Sequence, residues 1–523
     1  MRSSRVWRGL CALPLPLFVA LVAGVAVLLR LAPLTDPLHS DESGYLLVAQ
    51  RWSLGGPSLF GAYWVDRPPL LIAIFKLGAL LPWTCGIRVV ALPFAAATVA
   101  GAGWAGWHLR GVNGGRWGAL LGAAMTSTPL ASGQIADGEL FALPFVLLGV
   151  GAILAATHAT PSRPRGEALL LAALAGLSGA LAITVKQNFF DALVFGGLLL
   201  ALLARRGTLP VGRALALLGA AVAGGLVVAA TGMAYAEIAG VGVGVLWREV
   251  FAFRAAAFAT IVEGDWTDPL RHASALALNA VLCGAVPLMA CVLYVALHRY
   301  RRPSPVAWAI GATGLVEVLS MVAGGSYWNH YLLQLTPVTV LAAAAWAPDF
   351  TAIRRFASLA VASGTVCAVA MSLPHVSTAA VSGTCGGVET GRWLKDRAAP
   401  GDTATVLFGH AEVQLASGLQ SPYPHLWSLP ARTLDPGFDQ LTALLESPGA
   451  PTWVAIWDPA DDREFDPSGR VDALVAERYR HAADVCGHPI WRLAPAAAPE
   501  DRPWEPPATS TKPRPVEGPP PHG

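Results

Sequence analysis

What this sequence has little of is charge. Asp, Glu, Lys and Arg make up 13% of its 523 residues, about half the fraction of an ordinary soluble domain, which excludes a water-soluble enzyme. The charges nearly cancel, 36 basic against 34 acidic for a formal +2. That excludes a general nucleic-acid binder, which presents a strongly basic domain. Cysteine is sparse as well. Seven in this length make no disulfide framework, and no Cys-x-x-Cys pair or His/Cys cluster marks a structural zinc site. Cys11, Cys85, Cys283, Cys291 and Cys367 lie in or beside apolar runs, where small buried thiols are ordinary. Among 54 glycines no phosphate-cradling motif occurs, so no soluble nucleotide site is expected.

What is present is apolar sequence in long runs, 54% of the chain, which marks a polytopic α-helical membrane protein. The first run, about 11–31, is long enough to cross a hydrocarbon core of about 30 Å at about 1.5 Å per residue. Arg2, Arg5 and Arg8 precede it, and without a small-residue cleavage site it reads as an uncleaved first helix. Further spans fall at about 86–107, 118–133, 140–157, 168–184, 189–204, 214–234, 272–297, 305–323, 331–347 and 356–374, eleven in all. Starting inside, the short inner connections and N-terminal tail hold fifteen arginines, including Arg110, Arg116, Arg205, Arg206, Arg354 and Arg355. Most outer loops are nearly bare of basic residues, the exceptions being 34–85 and about 235–270. This is the positive-inside pattern of a multi-pass protein of the plasma membrane, with a cytoplasmic N-terminus and everything after about residue 376 outside.

That last part changes character. Strands at 405–408 and 452–457 and amphipathic helices at 437–446 and 470–482 predict a small extracytoplasmic α/β domain over 376–493. Cys385 and Cys486 form one disulfide there or remain two free thiols. From Ala494 ten of thirty residues are Pro, so 494–523 reads as a disordered tail.

The unusual residues lie in outer loops. In 34–85, His39-Ser40-Asp41-Glu42 opens an amphipathic helix, with Ser40 or Asp41 able to cap it. Two carboxylates in a first turn are stabilised by exposed N–H groups; they suit proton transfer or cation binding, or serve only as caps. Tyr63-Trp64-Val65-Asp66-Arg67-Pro68-Pro69-Leu70 follows, with Pro69 placed to open a second interfacial helix to about Leu81. Arg67 is then a phosphate ligand at headgroup level or a snorkelling anchor. Asp137 and Glu139 occupy a short second loop, where Asp137 could simply cap the next helix. Lys186-Gln187-Asn188 and Ser326-Tyr327-Trp328-Asn329-His330-Tyr331 occupy other outer turns. Polar groups near a low-dielectric region are costly without partners, so a shared outward cavity is favoured over scattered decoration.

This ordered set, embedded in this topology, resembles the GT-C glycosyltransferases that use polyprenyl-phosphate sugars, particularly the family 39 group of protein O-mannosyltransferases, the lipid A aminoarabinose transferase and bacterial relatives. The resemblance covers about residues 11–375, a GT-C-like transmembrane domain over 1–375 with interfacial helices in its first outer loop. It implies Asp41 as the first-loop acid, Glu42 as its partner, and Asp137 or Glu139 as the second-loop acid. Family members commonly have Lys before the Pro-Pro pair; here it is Arg67, which keeps the charge but presents a planar fork. Lys186 and His330 are further candidates for donor phosphate, Arg88 for pairing with a loop acid, and Tyr327 and Asn329 for substrate contact.

The implied reaction is attack of an acceptor hydroxyl on the anomeric carbon of a lipid-linked sugar at the extracytoplasmic face, with polyprenyl phosphate leaving and the configuration inverting. Envelope glycan, glycolipid or secreted protein are the acceptor classes, and neither the sugar nor the lipid length can be read from these residues. No cofactor is required; a divalent cation is compatible with two acidic loops. The competing readings are a membrane transporter, for which broken or repeated spans are expected, and a noncatalytic envelope scaffold. Ser421-Pro422-Tyr423-Pro424-His425-Leu426-Trp427 is either an acceptor- or partner-facing surface or a loop covering the domain's own core.

Overall fold

The computed structural model describes residues 12–158, 165–299, 304–377, 385–457, 466 and 468–495. Most of the expected disordered tail, and Arg2, Arg5, Arg8, Arg163, Arg301 and Arg302, lie outside the described residues. Seven described helices are long and apolar enough to cross a membrane, eight if the bent pair Thr267–Leu282 and Ala285–His298 is one crossing.

The difference from eleven expected spans has local causes. Gly86–Ser127 is a single helical run of 42 residues, yet Arg110 and Gly111 leave helical geometry, Gly111 at φ 61°. The two arms fold back as a hairpin in which Cβ atoms would not fit: one on Gly114 would lie 2.3 Å from Gly106 O, and one on Gly118 2.3 Å from Ala102 O. Two expected spans are thus one hairpin, whose second arm stops at Ser127 because Pro129 begins a 3-10 turn, Pro129–Ala131. Asp191–Arg205 and Thr336–Trp346 are 15 and 11 residues long, short for a crossing. The expected span 272–297 breaks by 65° at Gly284, where φ is 83° and an added Cβ would meet the Ala360 Cβ at 2.5 Å.

The two helices expected at the interface form as Ser40–Gln50 and Pro69–Ala79, but the first is not an amphipathic surface helix: every residue from Glu42 to Ala49 is buried. The first is capped otherwise than expected: His39 is the N-cap and Glu42 Oε2 accepts its backbone N–H at 3.0 Å, leaving Ser40 and Asp41 in the first turn. Pro69 opens the second helix as expected. Following the chain through the bundle, these helices and the connections 128–137, 186–190, 239–266 and 325–330 fall at one end. Arg30, buried within Leu15–Leu31, donates to Thr126 O at 2.8 Å and to the carbonyls of Gly133 and Gln134, fixing the 128–137 connection. Arg110, Arg116, Arg205, Arg206, Arg354 and Arg355 fall at or near the other end, where Arg110 pairs with Asp349.

The C-terminal region forms a four-stranded sheet in the order β1-β2-β4-β3. Strands β1 (Ala404–Leu407) and β2 (Trp453–Ile456) are parallel; β3 (Tyr479–Val485) and β4 (His488–Leu493) form an antiparallel hairpin beside them. The helix expected over 470–482 ends at Arg478, because Tyr479 turns extended to pair with Leu493. Cys486 and Gly487 both take positive φ at the hairpin tip, the geometry of a tight two-residue turn. Cys385 and Cys486 are disulfide-bonded, which ties that tip to the segment entering the domain. Leu426 and Ala411 belong to the same buried cluster as the helix bundle, so the two regions share packing.

Candidate functional site

At the connected end of the bundle three elements converge. The helix Ser40–Gln50 brings Asp41, the connection 128–137 brings Asp137, and the 3-10 turn Asn329–Leu335 brings His330. One ligand atom from each lies within 4.8 Å of the others. His330 Nδ1 is 3.4 Å from Asp137 Oδ2 and its Nε2 3.7 Å from Glu139 Oε1. Asp137 caps the helix Gly138–Thr157, Oδ1 accepting the Gly138 N–H at 2.6 Å. Lys186 forms a buried ion pair with Glu139 and stands 5.4 Å from the centre of the Tyr331 ring, while the second oxygen of Glu139 is buried without a hydrogen-bond partner among the described residues.

Beside this group is a pair of guanidiniums. Asp66 Oδ1 accepts from Arg67 at 2.5 Å and its Oδ2 from Arg254 at 2.9 Å. Arg67 Nε also donates to the Tyr45 hydroxyl at 2.8 Å, and Gln187 donates to the Asp66 carbonyl at 3.1 Å. One carboxylate thus orients two arginines, each keeping further N–H groups for an anion.

The two acids of the central group are electrostatically unlike. Burial would raise Asp137, but His330, Lys186, the Gly138 N–H and Arg67 outweigh it and hold its carboxyl below the usual range. Asp41 is pushed upward, first by burial and then by the neighbouring Asp137 charge, against the pull of His330, Arg67 and Lys186. Asp66 is buried too, yet Arg67 and Arg254 keep it below the usual carboxylate range.

Glu42 points elsewhere. It is fully buried and takes Arg88 in a two-pronged bond, Nε at 2.9 Å and Nη2 at 2.7 Å, while Arg88 also donates to the carbonyls of Pro33, Asp36 and Pro37. Glu42 Oε1 further accepts the Ala136 N–H at 2.9 Å. This pair staples the first outer loop to the second, one residue before Asp137. Asn329 is engaged outside the group, its Oδ1 accepting from Asn279 at 3.0 Å, and Tyr327 sits in the left-handed region at φ 53°, so both shape the turn that carries His330.

Sequence reasoning missed Arg254, Asp66 and Trp427 as site residues. Arg254 had a signal, being a basic residue in one of the outer loops that depart from the positive-inside bias. Trp427 closes the aromatic stretch 421–427 singled out as a candidate surface, but nothing there pointed to Asp41; its indole Nε1 donates to Asp41 Oδ1 at 2.8 Å across 386 residues of chain.

No family model and no curated protein sequence matches this chain. Solved structures do. The crystal structure of ArnT from Cupriavidus metallidurans bound to undecaprenyl phosphate superposes with a TM-score of 0.60 at 11% identity, over 91% of this chain and 97% of that one. An Archaeoglobus fulgidus oligosaccharyltransferase tethered with an acceptor peptide matches with a TM-score of 0.50 at 11% identity, over 89% and 72%. The same enzyme in complex with zinc and sulfate gives 0.51 at 11%, over 88% and 71%. The chain therefore shares its overall fold with these proteins, a multi-helix region followed by a C-terminal domain. Identity this low establishes fold alone.

Proposed function

We propose that the protein transfers a sugar from a polyprenyl-phosphate donor to an acceptor hydroxyl at the extracytoplasmic face of a bacterial plasma membrane. The observation that carries this reading is Asp66 holding Arg67 and Arg254 side by side next to Asp41, Asp137 and His330, at one end of an apolar bundle. Two guanidiniums with free N–H groups fit a phosphate ester, and the bundle gives an isoprenoid tail its solvent. The family 39 assignment belongs to this proposal, as does the topology: counting both hairpin arms, Asp191–Arg205, Thr336–Trp346 and the bent pair as one, crossings number eleven, with the N-terminus inside and the C-terminal domain outside. A membrane domain over 1–375 and an outer domain over 376–493 complete it.

Asp41 is the proton acceptor. Of the two central acids, Asp137 is held below the usual carboxylate range and Asp41 is pushed above it, so Asp41 is the better proton acceptor of the pair. The acceptor oxygen bonds to the anomeric carbon from the face opposite the phosphate, its proton passes to Asp41, and the carbon–oxygen bond to phosphate breaks. The electron pair leaves on polyprenyl phosphate, stabilised by Arg67 and Arg254, with Lys186 near by, and the anomeric configuration inverts. Glu42 and Arg88 hold the loops in register. Asp41, Asp137 and His330 offer two carboxylate oxygens and one imidazole nitrogen, a donor set that fits a divalent cation. Such an ion would polarise the acceptor hydroxyl; the proposed displacement does not require it.

A transporter would draw support from the one bent span among the described residues, but its break at Gly284 packs against Ala360 and no charged residue of the central group lies on it. The test is binding of undecaprenyl phosphate to the full-length protein in nanodiscs, with transfer assayed from undecaprenyl-phosphate mannose and arabinose. Removing one charge-assisted contact costs about 1.5–3 kcal/mol, so Arg67→Ala and Arg254→Ala should each weaken binding at least tenfold and Arg67→Lys should recover part of it. Unchanged affinity in both alanine variants, with Asp41→Asn leaving transfer intact, refutes the reading; so does solute flux in proteoliposomes without transfer.

A further inference from the structure

We propose that Trp427 of the C-terminal domain is a positioning residue for the transfer step: its indole N–H holds the Asp41 carboxylate, so the site is complete only when that domain is docked. The inference rests on the reading of Asp41 as proton acceptor.

The contact is directional and seated on both sides. Trp427 Nε1 donates to Asp41 Oδ1 at 2.8 Å, and among the described residues no other hydrogen bond reaches this carboxylate. Indole is a donor only, so it can neither take the proton nor compete for it. It occupies one oxygen, which leaves Oδ2 for the acceptor. The ring is admitted because residue 44 has no side chain: a Cβ there would lie 2.2 Å from Trp427 Cζ2. On its flank the ring packs against Tyr45, centroids 5.3 Å apart, and Tyr45 in turn accepts the Arg67 N–H. One side chain from the outer domain therefore braces the acid directly and the phosphate-binding arginine through its neighbour.

The domain is pinned where this requires. Ala411 N–H donates to Ser40 Oγ at 3.2 Å, Ser421 N–H to the Tyr63 hydroxyl at 2.9 Å, and Trp64 N–H to the Pro424 carbonyl at 3.1 Å. His410 and Glu412, at the start of the helix that packs on Ser40–Gln50, are paired with each other at 2.9 Å. Asp41 is thus surrounded by Asp137, His330, Arg67 and Lys186 from the membrane region and steadied by a neutral donor from outside it.

Two substitutions separate positioning from packing. Trp427→3-benzothienylalanine keeps the bicyclic shape and replaces the N–H by sulfur; Gly44→Ala keeps the indole and displaces it. In full-length protein in nanodiscs, with undecaprenyl-phosphate mannose or arabinose as donor, the benzothienyl variant should lose about tenfold or more in kcat, with donor KM and undecaprenyl phosphate binding within about twofold. Trp427→Ala, which also removes the brace on Tyr45, should raise donor KM as well. Wild-type kcat in the benzothienyl variant overturns the proposal while leaving the glycosyl-transfer reading intact. A second readout needs no turnover: the indole N–H resonance of Trp427, identified by its absence in Trp427→Phe, should shift in Asp41→Asn, and an unmoved resonance overturns the contact. Absence of transfer in the wild type, with that resonance responding, sinks the enzymatic reading instead.

Discussion

Breaking the Arg88–Glu42 pair should unfold the outer loops well before the bundle loses its hydrophobic packing. Arg88 makes five hydrogen bonds, two to Glu42 and three to the carbonyls of Pro33, Asp36 and Pro37. Glu42 has no exposed surface. Arg88→Ala leaves a buried carboxylate with only the His39 and Ala136 N–H groups and orphans three carbonyls, which places its cost at about 3–5 kcal/mol. Glu42→Gln keeps the volume but turns an amide donor toward a guanidinium that can only donate, for a cost of about 2–3 kcal/mol. The double variant Arg88→Ala with Glu42→Gln removes the buried charge altogether, so the two costs should not add and the coupling should reach about 2 kcal/mol. Reversible unfolding of the full-length protein in mixed dodecylmaltoside and SDS micelles, followed by tryptophan fluorescence, measures all four corners. Because Glu42 also holds the Ala136 N–H next to Asp137, Arg88→Ala and Glu42→Gln should impair transfer in parallel. Additivity within about 0.5 kcal/mol, or loss of transfer in Glu42→Gln with full activity in Arg88→Ala, would refute a structural role for the pair and return Glu42 to the chemistry.

Two further outcomes follow from the outer domain. His425 is buried against Trp64 and Tyr423, and burial depresses its imidazole to about 4, against a smaller upward pull from Asp435. The unfolded chain takes up that proton near 6.5 while the folded one does not. Stability from this group is therefore complete above about 6.5 and falls as the pH drops toward 4, by up to about 3 kcal/mol. Melting curves of His425→Gln should lack that slope, and an identical slope in wild type and variant contradicts the assignment. The Cys385–Cys486 bond closes a separation of 101 residues, whose loop entropy is worth at most about 4–5 kcal/mol. Reductant should lower the melting temperature of the wild type and leave Cys385→Ser with Cys486→Ser unchanged; equal sensitivity in both proteins argues against the bond.

Much of the architecture was legible because membrane helices are written in one dimension. A run of apolar residues long enough to cross, and arginines on alternate sides, need no knowledge of neighbours. Reading failed where backbone geometry depends on a contact. The Gly86–Ser127 hairpin and the Gly284 break are set by how closely glycines approach Ala102, Gly106 and Ala360, and composition does not encode that distance. In the outer domain Tyr479 continued a helical pattern in sequence, yet pairing with Leu493 drew it into a strand, a tertiary override of local preference.

The candidate site divides along the same line. By itself the sequence determined that Asp41, Arg67, Asp137, Lys186 and His330 lie in the turns at one end of the bundle, since each is a polar residue between apolar runs. Only the tertiary structure decided what each one faces. Asp41 and Glu42 are adjacent acids in one first turn, but about 100° of helical rotation sends Glu42 into Arg88 and Asp41 toward Asp137 and His330. Arg254 joins Arg67 through Asp66 across 188 residues, and Trp427 reaches Asp41 across 386. A charge or an indole in a low-dielectric site takes whichever partner the fold brings within hydrogen-bonding distance, and that partner is set by packing, over separations that no local pattern of residues records.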